Sequence, residues 1–165
     1  MNNKILVTGG DGRFAKILKT ENKKLKLIFV NKNQCNILKE NSIIKCFKKY
    51  KPKIIIHAAG LSRPMKIHDH NISKSIELNI IGTANIVKVC HKFSIKLIYI
   101  STGYVYKGTK GNYTEEDGVK PFNNYGWSKL GGECSVKMYN NSLILRVTMT
   151  EKPFNFKTAY TNLIS

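Results

Sequence analysis

Acidic residues and arginine are scarce in this sequence. Of 165 residues only 10 are Asp or Glu, against 28 Lys plus Arg, which gives a formal charge of +18. Arginine occurs only as Arg13, Arg63 and Arg146. Nucleic-acid recognition leans on the bidentate fork of arginine. A charge carried by scattered lysines, as at Lys23-Lys24 and Lys48-Lys49, reads instead as solvated surface, so no nucleic-acid partner is expected. No apolar run approaches the about 18 residues of a membrane span, which excludes a membrane role. The four cysteines, Cys35, Cys46, Cys90 and Cys134, form no C-x-x-C pair, and no secretory segment opens the chain. The expectation is a reduced, cytoplasmic protein. With 42% hydrophobic residues the chain is too apolar to be disordered, and its length allows one ordinary domain with its own core. A basic surface of this kind draws anionic substrates.

What is present alternates. Short apolar runs at Lys4–Thr8, Leu25–Val30, Lys53–His57, Lys96–Ile100 and Ser142–Val147 read as strands. Helical patterns lie between them, at about 13–18, 41–50, 72–93 and 125–139, with Pro52 marking one break. Strands apolar on both faces and separated by helices imply a parallel sheet covered on each side, a Rossmann-type doubly wound α/β fold. Residues 1–147 are taken as the dinucleotide-binding domain. Residues 148–165 are taken as the start of a substrate-binding region whose C-terminal lobe is largely missing, as in the cofactor half of a longer protein or of a site completed by a partner chain.

Three constellations carry chemistry. Thr8-Gly9-Gly10-Asp11-Gly12-Arg13-Phe14-Ala15 is a glycine-rich turn from strand to helix, where backbone N–H groups and the helix dipole can hold a pyrophosphate. Ala15 stands in place of the third glycine. The second strand ends Phe29-Val30-Asn31-Lys32 without a carboxylate for a ribose 2′-hydroxyl, so Lys32 and Arg13 point to a 2′-phosphate, favouring NADP over NAD. Ser101-Thr102-Gly103-Tyr104 follows the fourth strand, where a hydroxyl can hold a substrate carbonyl. Tyr125-Gly126-Trp127-Ser128-Lys129 places Tyr and Lys at i and i+4 on one helix face, so the ammonium can sit near the phenol and lower its pKa. The remaining residues have structural readings. His68 and His70 lie in a solvent-facing loop with no third ligand at metal-binding spacing. Cys90, Cys134 and Trp127 are packing residues, and Arg146 reaches either a phosphate or an ion-pair partner.

With these segments in order, the chain resembles the extended short-chain dehydrogenase/reductases of the NAD-dependent epimerase/dehydratase superfamily, and most closely the dTDP-4-dehydrorhamnose reductase branch. His57-Ala58-Ala59-Gly60 and Asn79 match two further family segments. The resemblance implies catalytic roles for Thr102, Tyr125 and Lys129. It implies cofactor contacts from Gly9, Gly12, Arg13, Phe14, Lys32, Ala58, Ala59, Gly60, Tyr125 and Lys129, and substrate contacts from Ser62, Thr102 and Tyr104. No metal is implied. It further implies an NADP(H)-dependent reductase of a nucleotide-linked 4-keto-6-deoxy sugar, and a homodimer. Gly103 stands where that branch has Asp, and Gly103-Tyr104 lacks both the acidic pair of the sugar-nucleotide dehydratases and the cysteine of the epimerase-reductases. The alternatives are a 4-epimerase of the same fold and a non-catalytic regulatory subunit like that of methionine adenosyltransferase.

Overall fold

The computed structural model of the protein describes residues 4–148; the expected substrate region beyond Thr148 lies outside them. Five strands, β1 (Ile5–Thr8), β2 (Leu27–Val30), β3 (Ile54–His57), β4 (Lys96–Thr102) and β5 (Ser142–Val147), form one sheet. Its order is β2-β1-β3-β4-β5 and every pairing is parallel. Because the chain steps outward from β1 to β2 and then returns past β1 to β3, a crevice opens between β1 and β3 at their carboxyl ends. The helices α1 (Arg13–Glu21), α2 (Glu40–Tyr50), α3 (Ile67–His70), α4 (Ile72–Ser75), α5 (Gly82–Lys92) and α6 (Asn124–Lys137) flank the sheet. The core is apolar where strands and helices meet: Leu6, Val30, Ile43, Phe47, Ile55, Ile86, Val89 and Leu97 are buried together.

Local chemistry sets the boundaries. At the end of α2, Lys51 takes a left-handed backbone (φ 48°) just before Pro52, which lacks the N–H needed to continue a helix. The polar stretch after β2 is a turn held by Asn31, whose Oδ1 accepts from the Asn33 and Gln34 backbone N–H groups. The long helix expected over 72–93 runs from α4 through a π turn over Ile76–Ile81 into α5. Such widened turns recur at functional sites, and this one carries Asn79. The Asn123 side chain caps α6 by accepting from Gly126 N–H at 2.8 Å.

The inner face of α6 is made of Gly126, Ser128, Lys129, Gly132, Glu133 and Val136. Hydropathy alone inverts this helix. Trp127, expected to pack, is 54% exposed, because its neighbours on the inward stripe are glycines and charges. Cys134 is likewise exposed rather than near the core, whereas Cys90 is buried. All four cysteines are free thiols, and no helix among the described residues is long and apolar enough to cross a membrane.

Close approach explains Gly132. A Cβ there would sit 2.6 Å from the backbone oxygen of Asn79 and 2.6 Å from the Tyr99 hydroxyl. Gly132→Ala should therefore destabilise the fold by about 1–3 kcal/mol through overpacking, despite the gain of about 1 kcal/mol that alanine brings to a helix. Urea unfolding followed by circular dichroism checks this, with Gly118→Ala, which meets nothing within 4 Å, expected to stay within about 0.5 kcal/mol of the parent.

Candidate active site

The glycine turn is built by packing as much as by flexibility. Gly9 adopts φ 73°, and a Cβ on it would come within 2.9 Å of the Ala59 backbone. Gly10 N–H donates to Val30 O, and Gly12 N–H closes the turn on Gly9 O, both at 2.8 Å. Gly12 caps α1 with no side-chain acceptor, so the positive end of the helix dipole is turned to the crevice. Ala15 is fully buried beneath it. One cation near the turn had no signal in the sequence: Lys19 Nζ donates to Gly10 O at 3.0 Å and lies 4.8 Å from the Phe29 ring centre.

Beneath the crevice runs a buried polar seam. His57 Nδ1 pairs with Thr8 Oγ1 at 2.8 Å and its Nε2 with Thr83 Oγ1 at 3.2 Å. Thr8 Oγ1 also accepts from Ala59 N–H, which fixes the loop after β3 against β1. Burial, with a small contribution from the Lys129 charge, pushes the His57 pKa down to about 3, so this imidazole is neutral. Asn79 holds the same loop from the other side: its Oδ1 accepts from Leu61 N–H at 2.7 Å, and its Nδ2 donates to Leu61 O and to Ser128 Oγ. Thus the π turn, the β3 loop and α6 are locked through one amide.

Strand β4 extends two residues beyond the sequence expectation, ending on Thr102. Its hydroxyl accepts from Tyr104 N–H and lines the same cleft as the Tyr125 phenol, on which it acts to lower the pKa. Tyr104 packs edge-on against Tyr125, with centroids 5.6 Å apart. Lys129 is buried, donates from Nζ to Ile100 O at 2.8 Å and lies 4.1 Å from the Tyr99 ring centre. Burial lowers its pKa to about 7, with Glu133 opposing.

A cleft of about 250 Å³ joins these parts. Gly9, Gly12, Arg13, Phe14, Ala58, Gly60, Ser62, Thr102, Tyr104, Tyr125 and Lys129, all expected at the site, line it. Ala59 stands behind Gly9, and Lys32 is exposed and outside the lining. Arg63 also lines the cleft and was missed, because an arginine in a loop carries no motif. Its charge reaches both Tyr104 and Tyr125. Among the described residues the lining holds three cations, Arg13, Arg63 and Lys129, and no carboxylate.

Besides Lys32, two expectations change. The i, i+4 spacing predicts the Lys129 ammonium beside the Tyr125 phenol, yet the structure directs it to Ile100 O and the Tyr99 ring. Burial raises the Tyr125 pKa, while the Thr102 hydroxyl and the Arg63 charge act against it. His68, expected in solvent, is 1% exposed: its Nδ1 bonds Ser75 Oγ at 2.7 Å and its ring packs on Tyr125 at 5.0 Å. Its apolar neighbours Ile67 and Ile72 gave no sign of this, since α3 is a single turn. Arg146 forms the ion pair rather than a phosphate contact, through Glu133.

The family model described as RmlD substrate binding domain matches residues 3–163. The chain belongs to this family. Among curated relatives of this RmlD-family chain, methionine adenosyltransferase 2 subunit beta of Bos taurus is 36% identical over 115 residues, covering 69% of the chain and 34% of the relative. The dTDP-4-dehydrorhamnose reductase of Mycolicibacterium smegmatis is 27% identical over 140 residues, 82% of the chain and 42% of the relative. In structure, the dTDP-4-dehydrorhamnose reductase of Bacillus anthracis, solved in complex with NADP, gives a TM-score of 0.80 at 29% identity, covering 88% of this chain and 53% of that one. The chain thus spans about a third to two fifths of the curated relatives' length and about half of that solved structure.

Because neutral His57 cannot take a proton in the fold but does so when unfolded, the unfolded state binds more protons below about pH 6.5. Stability should fall as pH drops from about 6.5 toward about 3. Urea midpoints across this range should show a shallower acid loss in His57→Gln than in the parent chain.

Proposed function

We propose that the cleft is the cofactor half of an NADP(H)-dependent reductase acting on a nucleotide-linked 4-keto-6-deoxy sugar. The observation that carries this reading is the meeting of the Thr102 and Tyr125 hydroxyls and buried Lys129 with the glycine turn in one cleft. The cradle fits a dinucleotide: the turn at Gly9–Gly12 leaves room for backbone approach, the α1 dipole faces the crevice, and Arg13 lines it where a 2′-phosphate would be received. With Lys32 outside the lining, the preference for NADP over NAD rests on Arg13 and on the missing acid after β2. Support also comes from the NADP-bound relative and from the reductase names among the RmlD-family neighbours.

Gly9, Gly12, Arg13, Phe14, Ala58 and Gly60 would hold the dinucleotide, backed by Ala59, and Lys129 would hold its nicotinamide ribose. Bound there, the nicotinamide supplies the hydride. Thr102 holds the substrate carbonyl by a hydrogen bond, and Tyr125 delivers a proton to the oxygen as charge develops on it. Arg63, on the same rim, favours the ionised phenol left behind. Ser62 and Tyr104 flank the carbonyl position. A cleft lined by cations without an acid suits an anionic nucleotide sugar. On the outer surface, exposed Ile76, Ile81 and Trp127 suit the homodimer, which light scattering would test.

A regulatory role like that of the methionine adenosyltransferase subunit is the second reading, favoured by the 36% identity. Turnover separates the two. In the full-length protein, Tyr125→Phe should bind NADPH as the parent does while kcat for the 4-keto sugar nucleotide falls about 10²- to 10⁴-fold, the loss of one general acid. Stopped-flow oxidation of NADPH measures it. NADPH binding with no turnover in the parent protein would support the regulatory reading.

A further inference from the structure

We propose that Glu133 is a positioning residue of this site: it clasps the strand end that carries Thr102 and sets a carboxylate one helical turn from Lys129, on the same buried helix face. The inference deepens the reading above, since it rests on Lys129 being the lysine of the site.

The geometry is a two-point clamp between α6 and β4. Lys129 Nζ donates to Ile100 O at 2.8 Å, and Ser101 Oγ donates to Glu133 Oε1 at 2.5 Å. Ile100 and Ser101 are consecutive, and the next residue is Thr102. Residues 129 and 133 are spaced i, i+4, so they share a helix face, and here both are buried. Glu133 is itself fixed from β5: Arg146 donates from Nε to both carboxylate oxygens at 3.2 Å and from Nη2 to Oε2 at 2.8 Å. Arg146 Nη1 donates to the Tyr106 hydroxyl at 2.9 Å, which in turn donates to Thr114 O. The strand end, the helix and the loop after Gly103 are held by one carboxylate.

An ion pair between Glu133 and Arg146 alone would satisfy stability. It does not explain why the carboxylate lies on the same buried face of α6 as the site lysine, one turn away. The groups that face Lys129 are neutral His57 from β3, the Tyr99 ring from β4 and Glu133 on its own helix, with Arg146 of β5 beyond Glu133. Glu133 is the one carboxylate in this set. Burial drives the Lys129 pKa down to about 7 and Glu133 acts in the opposite direction. Without that carboxylate, the desolvation cost falls on the ammonium unopposed, and the lysine sheds its proton at lower pH. A neutral amine holds a ribose hydroxyl less firmly than an ammonium does.

The test reads Lys129 directly. In the full-length protein labelled with 13C-lysine, the Lys129 13Cε resonance is identified by its loss in Lys129→Arg, and its shift is followed with pH in the absence of cofactor. The parent should titrate near pH 7, and Glu133→Gln should titrate about one unit lower, the low end of the effect of a neighbouring opposite charge. If Glu133→Gln does not fold, Glu133→Asp, which withdraws the charge by one methylene, should move the midpoint the same way by less. Ser101→Ala, which removes only the clasp, should leave the midpoint in place while lowering kcat. An unmoved midpoint in a folded Glu133→Gln or Glu133→Asp would overturn the proposal and leave the carboxylate a structural tie. Absence of sugar-nucleotide reduction in the parent would instead overturn the functional reading, while the lysine midpoint still decides the role of Glu133.

Discussion

The amide of Asn79 holds the site together. It sits where the long helix widens into a π turn, and its carboxamide meets two other segments at once. The Leu61 backbone takes up its oxygen and one N–H, and Ser128 accepts the other. A buried amide with all these partners is costly to displace, so the β3 loop and α6 keep a fixed separation. Everything in the cleft is measured from that separation: the loop backs the glycine turn through Ala59, and α6 carries Tyr125 and Lys129.

From this frame the division of labour follows. The left part of the sheet, β1 and β2 with α1, offers backbone and dipole to an anion. The carboxyl end of β4 offers hydroxyls. The buried seam of Thr8, His57 and Thr83 between them is neutral, which suits a zone where a charge would be expensive to bury. Charge is admitted at the cleft wall, where Arg13 and Arg63 reach solvent, and at Lys129, which is buried but neighboured by a carboxylate.

Much of the fold was legible in the sequence because the strands of a covered parallel sheet are short, mostly apolar runs, and each of the five appears as one, although the edge strand β5 leaves Leu143 and Leu145 exposed. The glycine turn and the Tyr125–Lys129 pair could be placed for a similar reason: each depends on local spacing along one element. What could not be read depends on contacts between distant segments. The extension of β4 to Thr102 comes from pairing with β5 out to Val147. The burial of His68 comes from Tyr125 and Ser75, and the direction of Lys129 from the Ile100 carbonyl. Helix α6 shows the physical reason most plainly: its inner face is glycine, lysine and glutamate, since close approach and ion pairing won over hydrophobic burial, and Trp127 was left outside. Lys32 shows the reverse, a residue with a suggestive position in the sequence whose side chain stays in solvent.

The central claim is that the glycine turn and the Tyr125 group share one cleft and act on one ligand. Titrating NADPH into the 15N-labelled protein and following its amide resonances tests this most directly. The account predicts saturable shifts at Gly9, Gly12, Phe14, Ala58 and Gly60, together with Tyr125 and Lys129, all with a single dissociation constant. Shifts at the turn with none at Tyr125 and Lys129, or no saturable response at all, would contradict it.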